Sequence, residues 1–436
     1  MTRARVLIIS VGGSPAPIIN ACREYRPDFT YFFCSGPTKG PSSSIMVDGP
    51  GNPCGDNRYV DCHNCKTKIP LGDPIGPAIV RQLGWDSACY EKIEVNDPDD
   101  LSECFEVLSE LKKRIHNQFG SGAEVAVNYT GGTKTMSVAL AFMGILQGQW
   151  EITINKGSRG DLIKVRGGDI PVIANTISIS LALYETQVTE FLRRYDYSSA
   201  DEILSQITLR QHLSSDKQEK ILRLRRLCQA FHAWDMFDHS RSLDFLRIVG
   251  GRFVTPYIEA LTDLTGVNRR ATGYEEVVDL VFNAERCSVQ GRYDDAVARL
   301  YRAVEMLAQK RLENKWGIDT SRVELDKIPE NLRNKYRGFQ QSDDTSTIRI
   351  ALRRAYELLA ELNDPVGLCW QKDMKKLLTS LEKRNNSILA HGIIPLGEED
   401  YMQVENVLQS FINEVLKSIN VKTRCLQLPS LEIMEM

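Results

Sequence analysis

The chain has 436 residues, of which 42% are hydrophobic and 25% are charged, and its formal net charge is −3. This length predicts two or three domains rather than one core. The charge argues against a protein that coats nucleic acid through a broad basic surface, but it allows an enzyme that holds RNA in one small pocket. Apolar runs such as residues 6–11 and 138–146 are too short to cross a bilayer. No secretion signal precedes the first strand-like run, so we expect a cytoplasmic protein without a membrane partner.

The first 175 or so residues alternate the patterns of buried strands and of helices. The predicted strands cover residues 4–11, 29–34 and 124–130, and the predicted helices cover residues 15–25, 98–119 and 133–147. A hairpin-like pair follows around residues 156–160, and residues 36–76, rich in Gly, Pro, Ser and Asp, are predicted to form a long irregular insertion. Alternating strands and helices with short connections predict a Rossmann-like three-layer α/β sandwich over residues 1–175.

Helical periodicity replaces the strand signals in the rest of the chain. It predicts an all-α connector over residues 176–270 and an all-α domain over residues 271–436. Residues 291–307 resemble the second helix of a tetratricopeptide repeat, but no matching unit follows 34 residues later. We therefore expect a long bundle helix there. Its charged residues are expected to form ion pairs rather than to line a site, and two histidines of the connector are expected to be packing or surface residues: Arg299, Arg302, Glu305, His232 and His239.

A glycine loop stands where the third predicted strand ends and a helix begins. Residues 128–136 read Asn-Tyr-Thr-Gly-Gly-Thr-Lys-Thr-Met. Two adjacent glycines allow a tight turn and a close approach of the backbone to a ligand. The free amides of the first helical turn, with Thr133 as N-cap, would form an anion-binding end, and Lys134 adds a cation. The spacing is neither that of a P-loop nor G-x-G-x-x-G, so a ligand-free turn stays an alternative, although the pattern favours a phosphate or nucleotide.

A second loop, Gly12-Gly13-Ser14, follows the first strand and is expected at the same edge of the sheet. Together the two segments resemble the CRISPR-associated Rossmann-fold (CARF) domains. Those domains pair across a two-fold axis and bind cyclic oligoadenylate, the second messenger of type III CRISPR interference. Rings of four and of six nucleotides both suit such a pocket, and some family members also cleave the messenger. The resemblance implies that the following residues line the pocket: Gly12, Gly13, Ser14, Thr130, Gly131, Gly132, Thr133 and Lys134.

A second candidate site lies near the C-terminus. Residues 381–392 have the periodicity of a helix that ends at Gly392, so that Arg384 and His391, seven residues apart, would project from one face. A histidine can move protons when a ribose 2′-hydroxyl attacks the neighbouring phosphate, and an arginine can hold that phosphate. Such chemistry requires no metal. Asn385 is a polar residue near the same face, but the Arg–His spacing alone is a weak signal.

The stretch Arg-Asn-Asn-Ser-Ile-Leu-Ala-His-Gly, residues 384–392, resembles the R-x4–6-H signature of the HEPN ribonucleases. HEPN domains are all-helical, and two copies in a homodimer bring their Arg–His pairs together. A CARF domain followed by a HEPN domain is the architecture of the stand-alone type III CRISPR ribonucleases. The resemblance implies a metal-independent endoribonuclease that needs no catalytic cofactor, cuts single-stranded RNA, leaves a 2′,3′-cyclic phosphate and is activated by cyclic tetra- or hexa-adenylate. Its catalytic residues would be Arg384, His391 and Asn385.

Two other functions remain open from the sequence. The helical half could be a non-catalytic, partner-binding module under a CARF sensor, or the chemistry could be cleavage of the messenger in the N-terminal pocket. A zinc cluster is a weaker alternative to free thiols, because only one C-x-x-C is present. Its ligands would be Cys34, Cys54, Cys62 and Cys65.

Overall fold

The computed structural model describes residues 3–38, 42–49, 59–61, 68–70, 78–157, 169–210, 213–268, 271–338, 347–385, 387–389 and 392–435. The chain divides into two compact units, residues 1–183 and 184–436. The first unit is an α/β domain, and the described residues of the second are helical apart from one short strand pair and connecting turns. The predicted order, an α/β domain followed by helices, is therefore confirmed.

The first unit is built on a six-stranded sheet. Its strand order is β5-β2-β1-β6-β7-β8, with all neighbours parallel except β7 and β8. From β1 the chain moves outward to β2 and later returns on the other side at β6, which makes the β1–β6 boundary a topological switch point. The strands of this unit are β1 (Arg5–Ser10), β2 (Phe29–Ser35), β3 (Tyr59–Asp61), β4 (Lys68–Pro70), β5 (Tyr90–Val95), β6 (Glu124–Asn128), β7 (Glu151–Lys156) and β8 (Ile170–Ile173).

Helices cover both faces of this sheet. Alternate residues of β1 enter two separate cores: Val6 and Ile8 face α4 and α5, whereas Leu7 and Ile9 face α1, α2 and α3. A strand buried on both faces is continuously apolar, as the sequence indicates, and the three-layer sandwich is confirmed. The helices are α1 (Pro15–Tyr25), α2 (Ile45–Asp48), α3 (Ile79–Leu83), α4 (Leu101–Phe119) and α5 (Lys134–Gln147), followed by α6 (Ile177–Arg193), which runs from the first unit into the second.

Two features of this unit differ from the sequence-based expectation. The edge strand β5 was not predicted, because its alternating polar residues bury only Ile93 and Val95 well, and such a short one-sided pattern is a weak signal. The region predicted as an irregular insertion contains α2 and the antiparallel pair β3–β4. The cysteines proposed as zinc ligands at positions 54, 62 and 65 lie outside the described residues. Cys34 is buried, and its Sγ donates to the carbonyl of Phe32 at 3.3 Å. The described part of the chain holds no group of metal-binding side chains.

The second unit is a set of packed helices. A continuous apolar core joins α11, α12, α14, α15 and α16, and within it the rings of Tyr356 and Trp370 stack with their centroids 4.3 Å apart. The helices are α7 (Tyr197–Arg210), α8 (Ser215–Asp235), α9 (His239–Val249), α10 (Thr255–Leu264), α11 (Glu275–Val289), α12 (Tyr293–Trp316), α13 (Glu330–Arg337), α14 (Leu352–Glu361), α15 (Pro365–Asn385) and α16 (Glu398–Ser418). A short pair, β9 (Val323–Glu324) and β10 (Thr347–Ile348), and two 3₁₀ turns, Leu325–Lys327 and Leu431–Met434, complete it.

The long bundle helix predicted after Gly291 is α12, which packs against α11, α14, α15 and α16. Its charged residues form ion pairs, as expected: Arg299 with Asp295 at 2.9 Å and Arg302 with Glu305 at 2.6 Å. In the connector region, His239 is buried against Asp279 at 2.9 Å, and His232 is exposed, so both have the structural roles expected of them. Among the described helices, none combines the length and the apolarity needed to cross a membrane.

The end of α15 corrects the sequence-based prediction. The helix was expected to continue to Gly392, but it ends at Asn385. Beyond it, the amide of Ser387 donates to the carbonyl of Arg384 at 3.1 Å, and the amide of Gly392 donates to the carbonyl of Ser387 at 3.2 Å. These turn hydrogen bonds replace helical ones, because asparagine and serine favour turns over helix interiors. Arg384 therefore lies in the last turn of α15. The predicted placement of His391 on the same helix face falls outside the described residues.

Candidate functional site

The two glycine loops meet at the switch point, at the carboxyl ends of β1 and β6. Their backbones touch: a Cβ added to Gly12 would lie 2.8 Å from the amide nitrogen of Gly132, and one added to Gly131 would clash with the carbonyl oxygen of Ser10. Gly132 also has a φ of 83°, in the left-handed region. A Cβ on Gly13 would meet nothing within 4 Å. Close packing thus requires glycine at positions 12 and 131, and backbone conformation favours it at position 132, whereas Gly13 faces open space.

The hydroxyl groups of the second loop hold the loop in place. The Thr133 hydroxyl accepts a hydrogen bond from the Met136 amide at 3.2 Å, as predicted for an N-cap, and donates to the carbonyl of Pro98 at 2.5 Å. The Thr130 hydroxyl accepts from the amide of Asn155 at 2.8 Å. Both threonines are therefore committed to protein contacts. Their contribution to a ligand would be to shape the loop.

The groups that remain available to bind an anion are backbone amides at the start of α5 and the Lys134 side chain. The amides of Lys134 and Thr135 at the start of α5 form no hydrogen bond within the described residues, and the exposed Lys134 side chain forms no ion pair there. Ser14 begins α1 without a side-chain capping hydrogen bond. Because Pro15 and Pro17 carry no amide hydrogen, α5 supplies the better anion-binding end of the two helices.

A network of buried polar side chains connects the strands and the helix next to the two loops. The amide of the Asn128 side chain donates to Asn155 Oδ1 at 2.8 Å, and Asn155 Nδ2 donates to Asp169 Oδ2 at 2.7 Å and to the Pro17 carbonyl at 2.7 Å. Asn20 Nδ2 donates to Asp169 Oδ1 at 2.8 Å. The network joins β6 and β7 to the first turn of α1. Sequence reasoning missed Asn155 and Asp169, although an asparagine inside the apolar run of β7 was a usable signal.

The second candidate site surrounds Arg384. This half-buried side chain extends over the Tyr301 ring of α12, with 4.7 Å between the guanidinium carbon and the ring centroid. Its Nη1 lies 3.5 Å from Asn385 Oδ1, and its buried Nε has no hydrogen-bond partner among the described residues. Within the same part of the chain, Arg384 pairs with no carboxylate, although its neighbour Lys383 binds Asp400 at 2.7 Å. Arg384 is thus a cation whose hydrogen-bond donors are available to an anion.

The turn after α15 is fixed at both ends. Ser387 is fully buried, and it bonds through its backbone to Arg384 on one side and Gly392 on the other. Further along, the amide of Leu396 donates to Asp294 Oδ2 of α12 at 3.3 Å. His391 and Ala390 lie outside the described residues. Gly392, which directly follows His391, is tied to the turn that begins at Arg384.

The helical part of the chain resembles a known protein family. Residues 267–415 match the family model of the Csm6 HEPN domain. This part of the helical unit is therefore similar to a Csm6 HEPN domain. The match includes the segment from Arg384 to Gly392 and confirms the HEPN fold that its motif predicts. A HEPN domain of this type supports a ribonuclease role. The proposed catalytic residues Arg384 and Asn385 stand at the end of one of its core helices.

The whole chain also resembles a solved structure, described as Enterococcus italicus Csm6 bound to cyclic hexa-2′-fluoro-hexa-dAMP. The likeness covers 96% of this chain and 95% of that chain, with a TM-score of 0.58 and 12% sequence identity. At that identity the likeness shows the fold. It confirms the predicted architecture of an α/β domain followed by a helical domain. A comparison with curated proteins gave no significant match.

Proposed function

We propose that the protein is an endoribonuclease of type III CRISPR defence, which cuts single-stranded RNA when cyclic oligoadenylate binds its α/β domain. The observation that carries the proposal is Arg384, which projects from a Csm6-type HEPN domain without a carboxylate partner among the described residues. An arginine in that state can bind a phosphate bidentately, because its planar N–H donors are not used elsewhere.

The proposed reaction needs only groups of the protein. His391 removes the proton of a ribose 2′-hydroxyl, whose oxygen then attacks the adjacent phosphorus. The bond from phosphorus to the 5′-oxygen breaks, and a proton is returned to that oxygen. The products are a 2′,3′-cyclic phosphate and a 5′-hydroxyl. Arg384 stabilises the negative charge that develops on the phosphoryl oxygens, and Asn385 adds a polar contact beside it.

A second copy of the chain would complete this site. In the proposed homodimer, the Arg384–His391 pairs of two protomers face a single RNA strand. The position of Arg384 supports this arrangement, because the residue lies in the last turn of α15 and is followed by an anchored turn. Catalysis would then depend on how the two copies are aligned.

The α/β domain would supply that alignment through its ligand. The similar Enterococcus italicus protein is bound to a cyclic hexanucleotide analogue, which supports a cyclic oligoadenylate as the ligand of this chain. The proposed pocket lies at the switch point, where the free amides of α5 and the Lys134 side chain would meet phosphates. The glycines of both loops permit the close approach, and Thr130 and Thr133 hold the loop that carries the amides.

Site variants test the proposal. Activated cleavage of labelled RNA is measured for Arg384→Ala and His391→Ala, with Arg353→Ala and His232→Ala as matched controls at exposed positions. We expect the cleavage rate of both site variants to fall by at least about 100-fold while they still bind the messenger, and both controls to keep the wild-type rate. The product ends are analysed for a 2′,3′-cyclic phosphate. Cleavage at the wild-type rate in His391→Ala would contradict the proposal. Messenger degradation as the main activity of a variant that carries both Arg384→Ala and His391→Ala would favour an enzyme of the α/β domain.

A further inference from the structure

The ring of Tyr301 lies against the Arg384 guanidinium. The two residues lie on different helices, α12 and α15, and the guanidinium carbon stands 4.7 Å from the ring centroid. Arginine prefers this position over an aromatic face because the π electrons attract its delocalised charge. Both side chains are half-buried, so the contact is partly shielded from water.

The stacked contact leaves the chemistry of Arg384 available. A carboxylate partner would occupy the in-plane N–H donors, whereas an aromatic ring touches the flat face of the guanidinium. In this protein the donors make one long contact, 3.5 Å to Asn385 Oδ1, and no ion pair within the described residues. The ring can therefore restrict the plane of the guanidinium without competing for a phosphate.

Tyr301 is itself held on a rigid element. Its neighbours on α12, Leu300 and Val304, are fully buried in the core of the HEPN domain. Burial raises the pKa of the Tyr301 hydroxyl, and the nearby Glu305 carboxylate raises it further, against the opposing charge of Arg384. The phenol is therefore neutral at physiological pH. Glu305 pairs with Arg302 at 2.6 Å, and no ion pair between Glu305 and Arg384 occurs among the described residues.

We propose that Tyr301 is a positioning residue for RNA cleavage, which fixes the guanidinium plane of Arg384 so that its N–H donors meet the scissile phosphate. This inference rests on the proposed ribonuclease function. Tyr301 acts through Arg384 and does not itself transfer a proton. An arginine at a helix end has many rotamers, and a preorganised orientation is worth most in the transition state.

The test compares variants that keep or remove the ring. Messenger-activated cleavage of labelled RNA is measured under single-turnover and steady-state conditions for Tyr301→Phe, Tyr301→Leu and Tyr301→Met. We expect Tyr301→Phe to stay within about 3-fold of the wild-type rate, because the ring face is retained. Tyr301→Leu and Tyr301→Met should lose about 10- to 30-fold in kcat with little change in KM. Equal losses in Tyr301→Phe and Tyr301→Leu, or no loss in the folded Leu and Met variants, would overturn the proposal.

A double variant separates positioning from a purely structural role. In an Arg384→Ala background, measured at high enzyme concentration, Tyr301→Leu should cause no further loss, because the group it positions is gone. A structural role would instead lower the residual rate again and lower the thermal midpoint in both backgrounds. Failure of the wild-type protein to cleave RNA would overturn the ribonuclease function as well. Wild-type cleavage that is lost in Arg384→Ala but kept in Tyr301→Leu would overturn only the role of Tyr301.

Discussion

The backbone amide of Gly392 donates a hydrogen bond to the carbonyl oxygen of Ser387, at 3.2 Å. Ser387 in turn donates its own amide to the carbonyl of Arg384 at 3.1 Å. The residue that follows His391 is thus connected to Arg384 through one buried serine. The segment that carries the Arg–His motif thus begins at the end of α15, and its described residues Ser387 and Gly392 are joined by turn hydrogen bonds.

A proline at position 387 is expected to disrupt the turn. Ser387→Pro removes the amide that binds the Arg384 carbonyl, and displacement of either member of the motif should reduce cleavage about 100-fold. Ser387→Ala is the matched control: it keeps the amide and removes a buried hydroxyl that has no partner among the described residues, so its unfolding free energy should change by less than about 1 kcal/mol. Rates of activated RNA cleavage, with messenger affinity measured in parallel, check both. A wild-type rate for Ser387→Pro would contradict this role of the turn.

Replacement of Arg384 by lysine is expected to abolish most of the RNA cleavage activity, although lysine keeps the positive charge. Lysine has neither the flat face that lies on Tyr301 nor two parallel donors for a phosphate. We expect kcat to fall by about 100-fold or more, with the thermal midpoint little changed. The control is Arg353→Lys, at an arginine of α14 whose partner is Glu357, at 2.9 Å. Equal activity of Arg384→Lys and the wild-type protein would show that charge alone suffices.

Replacement of glycine by alanine should have different effects on stability in the two glycine loops. Gly131→Ala places a Cβ against the carbonyl of Ser10, whereas Gly13→Ala places it in open space. We expect Gly131→Ala to destabilise the α/β domain by about 1–3 kcal/mol and to weaken messenger binding. Gly13→Ala should leave the stability unchanged. Thermal unfolding of both variants, with calorimetric titration of cyclic oligoadenylate, measures the difference. Equal stability of the two variants would contradict the backbone contact between the loops.

Asp400 should make the free energy of unfolding depend on pH, because its stabilising contribution is lost in acid. The hydrogen bond from Lys383, helped by the amide of Gly397, holds the pKa of this carboxyl below its usual range in the folded protein. Its contribution is therefore present above the unfolded pKa of about 3.9 and is lost as the pH falls through the folded value. For this partly exposed pair we expect Asp400→Asn to cost up to about 1 kcal/mol at pH 5–7. The difference between urea unfolding curves of wild type and variant should shrink below about pH 4, and a difference that grows there would contradict the assignment.

Much of the fold could be predicted because the signals are local. The apolar run of β1 and the helix of residues 15–25 were predicted almost to the residue, since burial on both faces and prolines in a first turn leave strong patterns. Thr133 was identified as an N-cap because its neighbours include two glycines and a helical run. In contrast, β5 is a short edge strand in which only Ile93 and Val95 are well buried, and this pattern was too weak to detect.

The contacts that shape the HEPN site could not be predicted in the same way. The end of α15 depends on a competition between helical and turn hydrogen bonds at Ser387, which periodicity alone does not resolve. Tyr301 approaches Arg384 only because α12 packs against α15, and the sequence places them far apart. Three charged residues of α12 were considered from the sequence: Arg299, Arg302 and Glu305. The residue of α12 that contacts Arg384 is instead the aromatic Tyr301.

The most direct measurement is the cleavage of labelled single-stranded RNA by the wild-type protein in EDTA, with and without each cyclic oligoadenylate. We predict that one ring, of four or six adenylates, accelerates cleavage at least about 10-fold and that the products carry 2′,3′-cyclic phosphates. The acceleration should vanish in Arg384→Ala. Absence of cleavage with every messenger would contradict a messenger-activated ribonuclease.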